Sequence, residues 1–147
     1  DCPKVSDLYD YVHEGFEILE EIYPEHLISI CDLNEIVANA LEYVSSDLPD
    51  HEAIKQIGKG WVAEETLAIA LYCVAKHFDD FEKAIIASVN HAGDTDSTGA
   101  ITGNILGAAI GYEALPEFYK KDLELHDVII HVADDLYEGK VNIIQKD

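Results

Sequence analysis

Hydrophobic positions recur along this chain at helical spacing almost throughout. Between Asp7 and Tyr23, the residues Leu8, Tyr9, Val12, Phe16, Leu19 and Ile22 return at three- and four-residue steps, which predicts an amphipathic helix. Ser6 or Asp7 is the expected N-cap and Pro24 the stop. A second helix is predicted over Asn34 to Ser45, with Ile36, Val37, Ala40, Leu41 and Val44 on one face. Asp47-Leu48-Pro49-Asp50 reads as a turn, and Ile57-Gly58-Lys59-Gly60 as a loop with two permissive glycines. Trp61 to Lys76 is apolar nearly all round beyond Glu64-Glu65, so it is expected to be a central helix. Further helices are predicted over Phe81 to Asn90, Ser97 to Tyr112 and Asp127 to Tyr137, while Val141 to Ile144 is too short to assign. With no strand pair, fixed-period repeat or low-complexity tract, the expected fold class is all-α, a single unit without an internal linker.

Composition narrows the function. The 147 residues include 30 Asp plus Glu against 9 basic residues, all lysine, for a formal net charge of −21. Such a chain repels a nucleic-acid backbone and an anionic membrane surface alike, so neither is an expected partner. The longest uncharged stretch, Ser97 to Tyr112, holds four glycines, two threonines and an asparagine, which does not suit a membrane span. The N-terminus, Asp1-Cys2-Pro3-Lys4, lacks the layout of a signal peptide. Cys2, Cys31 and Cys73 form no metal-ligand pattern. Cys31 and Cys73 sit among apolar neighbours and are expected to be buried free thiols, in keeping with the cytoplasm and without structural zinc. The chain has no methionine and starts at Asp1, so a processed protein or a piece of a longer one is expected.

The segment that carries chemistry is Asn90-His91-Ala92-Gly93-Asp94-Thr95-Asp96-Ser97-Thr98-Gly99. Two carboxylates two residues apart, followed by hydroxyls, supply hard oxygen ligands of the kind Mg²⁺, Mn²⁺ or Ca²⁺ prefer. Gly93 permits a close approach, and the segment lies where a loop enters a helix. Asp96 or Ser97 equally fits the N-cap of that helix. Other Asp-x-Asp patterns fit poorly. An EF-hand loop starting at Asp94 finds Gly99 at its sixth position but Ile105 where a bidentate Glu belongs. A haloacid-dehalogenase phosphatase or a DxD glycosyltransferase needs an α/β context that the flanking helical pattern denies.

Gly99, Gly103, Gly107 and Gly111 then fall at four-residue intervals along one stripe of the helix. Each mid-helix glycine costs about 0.5–1 kcal/mol against alanine, so another backbone is expected to pack directly on the stripe. A rigid helix of this kind would fix the aspartates in space, and its positive N-terminal end would suit a phosphate-bearing ligand.

Three stretches, Gly60-Trp61-Val62-Ala63-Glu64-Glu65, Val89 to Thr98 and Gly99 to Ala108, resemble the ADP-ribosylglycohydrolase family, with a specific match from about Ile57 to Leu136. The resemblance implies an all-α orthogonal multi-helix bundle around a dinuclear Mg²⁺ or Mn²⁺ centre. It also implies hydrolysis of the N- or O-glycosidic bond between ADP-ribose and a modified side chain. The family's C-terminal Asp-x-Asp-Ser/Thr motif falls on Asp94, Asp96 and Ser97 as metal ligands, with Asp96 as the bridging residue and Thr98 as a helix residue. The family's N-terminal Thr-Asp-Asp motif and the acidic residue near the scissile bond have no counterpart. Asp79-Asp80 and Asp134-Asp135 are the only adjacent Asp pairs and neither follows a threonine. Residues 1–147 therefore resemble the C-terminal part of one such domain, whose partner would be the N-terminal half and whose substrate an ADP-ribosylated protein or small conjugate.

Other residues carry competing readings. His91 is either a substrate contact or a locally hydrogen-bonded structural residue. Glu65 either reaches the site from a neighbouring helix or supports the start of its own. Trp61 either stacks on adenine or anchors the core, the latter being expected. Gly93 lets the loop approach a ligand, and Glu14, Glu17, Glu20, Glu21 and Glu25 form a solvated face. Without arginine, a diphosphate is expected to rest on backbone N–H groups, helix ends and metals. The leading function is thus a metal-dependent ADP-ribosyl hydrolase represented by its C-terminal part. The alternatives are a non-catalytic ADP-ribose-binding or crystallin-like structural relative, and a generic divalent-cation-binding helical domain.

Overall fold

A computed structural model describes residues 4–140, all helix, turn and loop. Cys2 and the Val141–Ile144 stretch lie outside the described residues. Eight α-helices occur among them: α1 (Val5–Ile22), α2 (Leu27–Glu42), α3 (Asp50–Ile57), α4 (Ala63–Lys76), α5 (Phe81–Val89), α6 (Thr95–Ile110), α7 (Glu117–Lys120) and α8 (His126–Glu138). The chain divides into two compact units, the first ending at Ala114 and the second beginning at Leu115. The expected all-α class is what the structure shows. None of the described helices is long and apolar enough to cross a membrane.

The first unit is organised around α4, against which α2, α3, α5 and α6 pack. The unbroken run Ala68 to Ala75 on α4 is buried, as its all-round apolar pattern predicts. Around it lie Val37 of α2, Ile54 of α3, Ala84 of α5 and Leu106 of α6. Burying such side chains fully stabilises by about 1.5–3 kcal/mol each. Tyr72, fully buried on α4, donates its hydroxyl to Asp50 Oδ1 at 2.8 Å, and His77 Nε2 lies 3.0 Å from Asp50 Oδ2. This one carboxylate ties the start of α3 to the C-terminal half of α4. The tyrosine pKa is pushed far up, first by burial and then by the Asp50 carboxylate. Burial likewise raises the neighbouring Cys73 thiol to about 12, so that thiol is inert.

Several element boundaries depart from the periodicity for physical reasons. Lys4, not Ser6 or Asp7, precedes the first turn of α1; Asp7 instead reaches back and accepts the Lys4 N–H at 2.8 Å. Pro24 ends α1 as expected but starts a 3₁₀ turn, Pro24–His26, that leads directly into α2. So α2 begins at Leu27 rather than Asn34. Its buried residues are Ile30, Val37 and Ala40, a register that turns Cys31 outward; the expected burial of Cys31 is corrected, and among the described residues only Cys73 is a buried thiol. Helix α3 was hidden by its charges, since Asp50, His51, Glu52 and Lys55 leave only Ala53 and Ile54 to mark a buried face. Helix α4 starts at Ala63, which leaves Trp61 in the preceding loop with 70% of its surface exposed. The expected core role of Trp61 is therefore overturned. The acidic residues Glu14, Glu17, Glu20, Glu21 and Glu25 are all exposed, as expected.

The glycine stripe on α6 needs a correction too. A Cβ at Gly99 would come within 2.7 Å of Val89 Cγ1, and one at Gly103 would touch Ile85 Cδ1 at 3.8 Å. Gly107 has nothing within 4 Å, and Gly111, at φ +78°, terminates the helix in a conformation glycine favours. Side chains of α5, rather than another backbone, meet only the first half of the stripe.

In the second unit, α8 is amphipathic but has no buried residue, and Val128, Ile129, Val132 and Leu136 are exposed. Its C-terminus is closed by Gly139 at φ +65°, whose N–H donates to the Asp135 carbonyl.

The stripe generates a paired prediction. Gly107→Ala should stabilise the chain by about 0.5–1 kcal/mol, because it gains helix propensity at no steric cost. Gly99→Ala should destabilise it, because the β-branched Val89 cannot easily move aside. Urea or thermal unfolding of both variants checks the order.

Candidate metal and ligand site

The site is built where two loops meet, residues 58–62 before α4 and residues 90–94 before α6. Gly93 lies flush on the Lys59 carbonyl oxygen, which a Cβ there would overlap. The next amide, Asp94 N–H, donates to that same carbonyl at 2.8 Å. Gly60 is buried at φ +73°, and a Cβ on it would press on Thr98 Cγ2 at 3.1 Å and the Asp94 carbonyl oxygen at 3.4 Å. From the other side, Glu65 Oε2 accepts the Lys59 and Gly60 N–H groups at 2.9 and 3.0 Å. The Thr66 hydroxyl donates to the Gly60 carbonyl at 2.8 Å. Every backbone polar group of the 59–60 turn is thus engaged, and the turn presents a fixed ledge for Asp94.

Asp94 is the N-cap of α6. Its Oδ1 accepts the Ser97 N–H at 3.5 Å and its Oδ2 the Ser97 hydroxyl at 3.0 Å. The expectation that Asp96 or Ser97 caps this helix is corrected accordingly, and Ser97 is the capped residue. Asp94 is held below the usual carboxylate range, first by a hydrogen bond with the Asp96 side chain, then by the Ser97 hydroxyl. Two carboxylates side by side repel each other, and a cation between them relieves that repulsion. Ser97 is bonded to Asp94 through its N–H and hydroxyl, and Asp96, in the first turn of α6, is exposed beside them.

Thr98, one turn into α6 and fully buried, joins the parts. Its hydroxyl donates to the Ser88 carbonyl at 2.6 Å, with the Asp94 carbonyl at 3.0 Å. His91 Nε2 meets the same hydroxyl oxygen at 3.0 Å, an arrangement that suits a neutral ring donating to it. The His91 pKa is lowered by burial, against the opposing pull of the Ser88 carbonyl and the Asp94 charge. His91 and Thr98 are thus positioning groups beneath Asp94. Glu65 supports the Gly58–Gly60 loop and spends its carboxylate there rather than on the aspartates. Thr98 and the Lys59 carbonyl were not singled out from sequence as site-builders. The usable signal was the pair of glycines around Lys59 and a threonine four residues beyond the cap.

The family model for ADP-ribosylglycohydrolase matches residues 4–143. The chain belongs to that family. An uncharacterised protein of Archaeoglobus fulgidus is 30% identical over 128 residues, covering 86% of this chain and 41% of its own. The ADP-ribosylarginine hydrolase Tri1 of Serratia proteamaculans is 28% identical over 136 residues, 92% of this chain and 35% of the relative. The bovine ADP-ribosylhydrolase ARH3 is 26% identical over 96 residues, 58% of this chain and 26% of the relative. The chain thus spans less than half the length of these curated relatives. No solved structure matches it.

A family-type metal centre can be tested against the donors present. Two convergent carboxyl groups and a hydroxyl at the positive end of α6 have the chemistry of a hard-cation site with open positions. Among the described residues, however, no three His, Cys, Asp or Glu side chains form a metal-holding group. The donors fit part of a shell, and Mg²⁺ and Mn²⁺ tolerate the remainder coming from water or further oxygen ligands.

Two outcomes follow from this geometry. Gly93→Ala should push the 90–94 loop off Lys59 and cost about 1–3 kcal/mol, read as a lower unfolding midpoint and faster hydrogen exchange at the Asp94 amide. His91 resists protonation in the fold relative to the ordinary 6.5. Its contribution is therefore complete above that value and is lost as pH falls through the lowered folded value. Stability measured from pH 7.5 down to 5 should drop less steeply in His91→Gln than in the parent chain.

Proposed function

We propose that this chain is the C-terminal part of a metal-dependent hydrolase that releases ADP-ribose from modified side chains by cleaving an N- or O-glycosidic bond. The observation that carries the reading is the convergence of Asp94, Asp96 and Ser97 on a loop clamped from both sides, in a chain of this family. The names of the relatives, ADP-ribosylhydrolase and ADP-ribosylarginine hydrolase, supply the substrate class.

In this reading Asp94, Asp96 and Ser97 hold Mg²⁺ or Mn²⁺ in a dinuclear site. When bound, the cations supply positive charge that neutralises the carboxylates and gathers ribose and water oxygens. The remaining ligands and the acidic group that assists departure of the acceptor belong to the N-terminal half of the domain. The chain's own residues do the positioning. Gly93 brings the loop against Lys59, and His91 and Thr98 hold the backbone of Asp94. Glu65 fixes the Gly60 turn, whose next residue, Trp61, offers an exposed ring for stacking on adenine. The N-terminal end of α6 favours the negative charge of the diphosphate.

The lack of a three-ligand acidic group among the described residues favours a second reading for the chain by itself, a non-catalytic ADP-ribose-binding or structural member of the same fold.

Calorimetric titration with Mn²⁺ tests the site. Saturable binding should weaken at least about tenfold in Asp94→Asn with Asp96→Asn, a loss of about 1.4 kcal/mol or more. Unchanged affinity in that variant sinks the metal assignment. Release of ADP-ribose from ADP-ribosyl-arginine, stopped by EDTA, should then require a polypeptide that carries the Thr-Asp-Asp motif. Saturable ADP-ribose quenching of Trp61 fluorescence with no turnover under any of these conditions establishes the second reading.

A further inference from the structure

We propose that a cavity between the end of α3 and the α5–α6 loop is a separate ligand site, one that takes a phosphate or carboxylate group borne on an apolar body. The cavity has a volume of about 640 Å³, within the range of small-molecule sites. Ile54 and Val89 give it an apolar floor, Lys55 and Lys59 stand at its wall, and no carboxylate lines it. That lining is at odds with the rest of the molecule. The chain has 30 acidic residues against 9 lysines. Three other cavities of the first unit, of about 450, 330 and 670 Å³, are lined by Glu42, by Glu17 and Glu20, and by Asp10, Glu14 and Glu17.

The two lysines are also uncommitted. Lys76 donates to the Ser46 and Leu48 carbonyls, Lys83 pairs with Asp80, and Lys140 pairs with Glu138. Among the described residues, Lys55 and Lys59 make no ion pair and no side-chain hydrogen bond. Two ammonium groups four residues apart, with no acid in the cavity beside them, leave positive charge that an anion can satisfy. Helices α3 and α5 both end at this cavity, so their last carbonyls offset part of that charge. Binding must therefore run through the lysine heads rather than through free backbone N–H groups. His91 shares the wall, but its ring is engaged with Thr98 and the Ser88 carbonyl, so it shapes the cavity and does not bind.

Preorganisation favours Lys59 in particular. Its N–H is held by Glu65 and its carbonyl by Asp94, so the backbone beneath its side chain is fixed before any ligand arrives. Less ordering is then left for binding to impose. The apolar floor sets the preference for an organic anion over a bare one, since Ile54 and Val89 offer nothing to inorganic phosphate. The site does not depend on the hydrolase reading, because Lys59 meets Asp94 only through its backbone carbonyl and neither ammonium group pairs with the Asp94 or Asp96 carboxylate.

Amide chemical-shift titration in EDTA tests the proposal, with phenyl phosphate, benzoate and inorganic phosphate as probes. Phenyl phosphate should give saturable shifts at Lys55, Gly58, Lys59 and Ala92, with at least about tenfold tighter binding than inorganic phosphate. Lys55→Gln with Lys59→Gln should weaken it about tenfold or more while leaving the spectrum of the core unchanged, whereas Asp94→Asn with Asp96→Asn should have no effect. Benzoate binding as tightly marks a general carboxylate and phosphate site, and failure of benzoate narrows the ligand to phosphates. Non-saturating shifts, saturation confined to residues 94–97, or equal affinity in the lysine variant would overturn the proposal. Loss of Mn²⁺ binding in the aspartate variant with phenyl phosphate binding retained separates the two sites.

Discussion

The candidate site rests on a single backbone contact, the Lys59 carbonyl against Gly93 with the Asp94 N–H bonded to it. A carbonyl that close to a Cα leaves no room for a side chain, so glycine at 93 is a steric requirement. The hydrogen bond that follows pins the first residue of the acidic pair at the moment the chain turns into α6. Everything nearby serves that contact. Glu65 and Thr66 hold the 59–60 turn from one side, and Thr98, His91 and the Ser88 carbonyl hold the 90–94 loop from the other. A buried α4 gives both loops a rigid base, because it carries the first and packs against α6, which carries the second.

The same arrangement explains why two like charges are tolerated side by side. Asp94 is stabilised locally as an N-cap, by the Ser97 N–H and hydroxyl and by the positive end of α6. Asp96 has no such anchor and stands exposed. Capping accounts for Asp94, and the positive end of α6 favours Asp96 in its first turn. The proposed cation reading rests on a second carboxylate standing in the first turn of α6, directly after a loop held this closely.

Much of this was legible in the sequence, and the reason is local. The all-α class follows from the helical spacing of apolar positions along most of the chain, and the central place of α4 from its all-round apolar run Ala68 to Ala75. The Asp94-Thr95-Asp96-Ser97 segment announces itself because hard oxygen donors rarely crowd between two apolar helices. Features that depend on three-dimensional register were not legible. Cys31 sits in an apolar string yet points outward, since one helical step of 100° separates it from the buried Ile30. Helix α3 buries too few residues to leave a period, and Trp61 falls one step short of the helix that would have carried it inward. The glycines of α6 look equivalent as letters but are not: one meets Val89, one touches Ile85, one faces open space and one ends the helix.

Charge distribution adds an argument that sequence totals conceal. At −21 the chain repels anions at long range, so an anionic substrate gains nothing from steering and must be recognised at contact. Screening confines that repulsion to about a Debye length, roughly 8 Å at physiological salt. Within that distance the local complement decides, and it differs between neighbouring surfaces of one loop pair. The start of α6 presents carboxylates, and the end of α3 with the loop after it presents ammonium groups that make no ion pair among the described residues. Both faces hang on the 59–60 turn, which fixes Asp94 through its carbonyl and carries Lys59 through its Cα. A ligand that draws Lys59 therefore pulls on the ledge beneath Asp94. The stiffness of that turn, set by Glu65 and Thr66, determines how far the two faces act as independent sites.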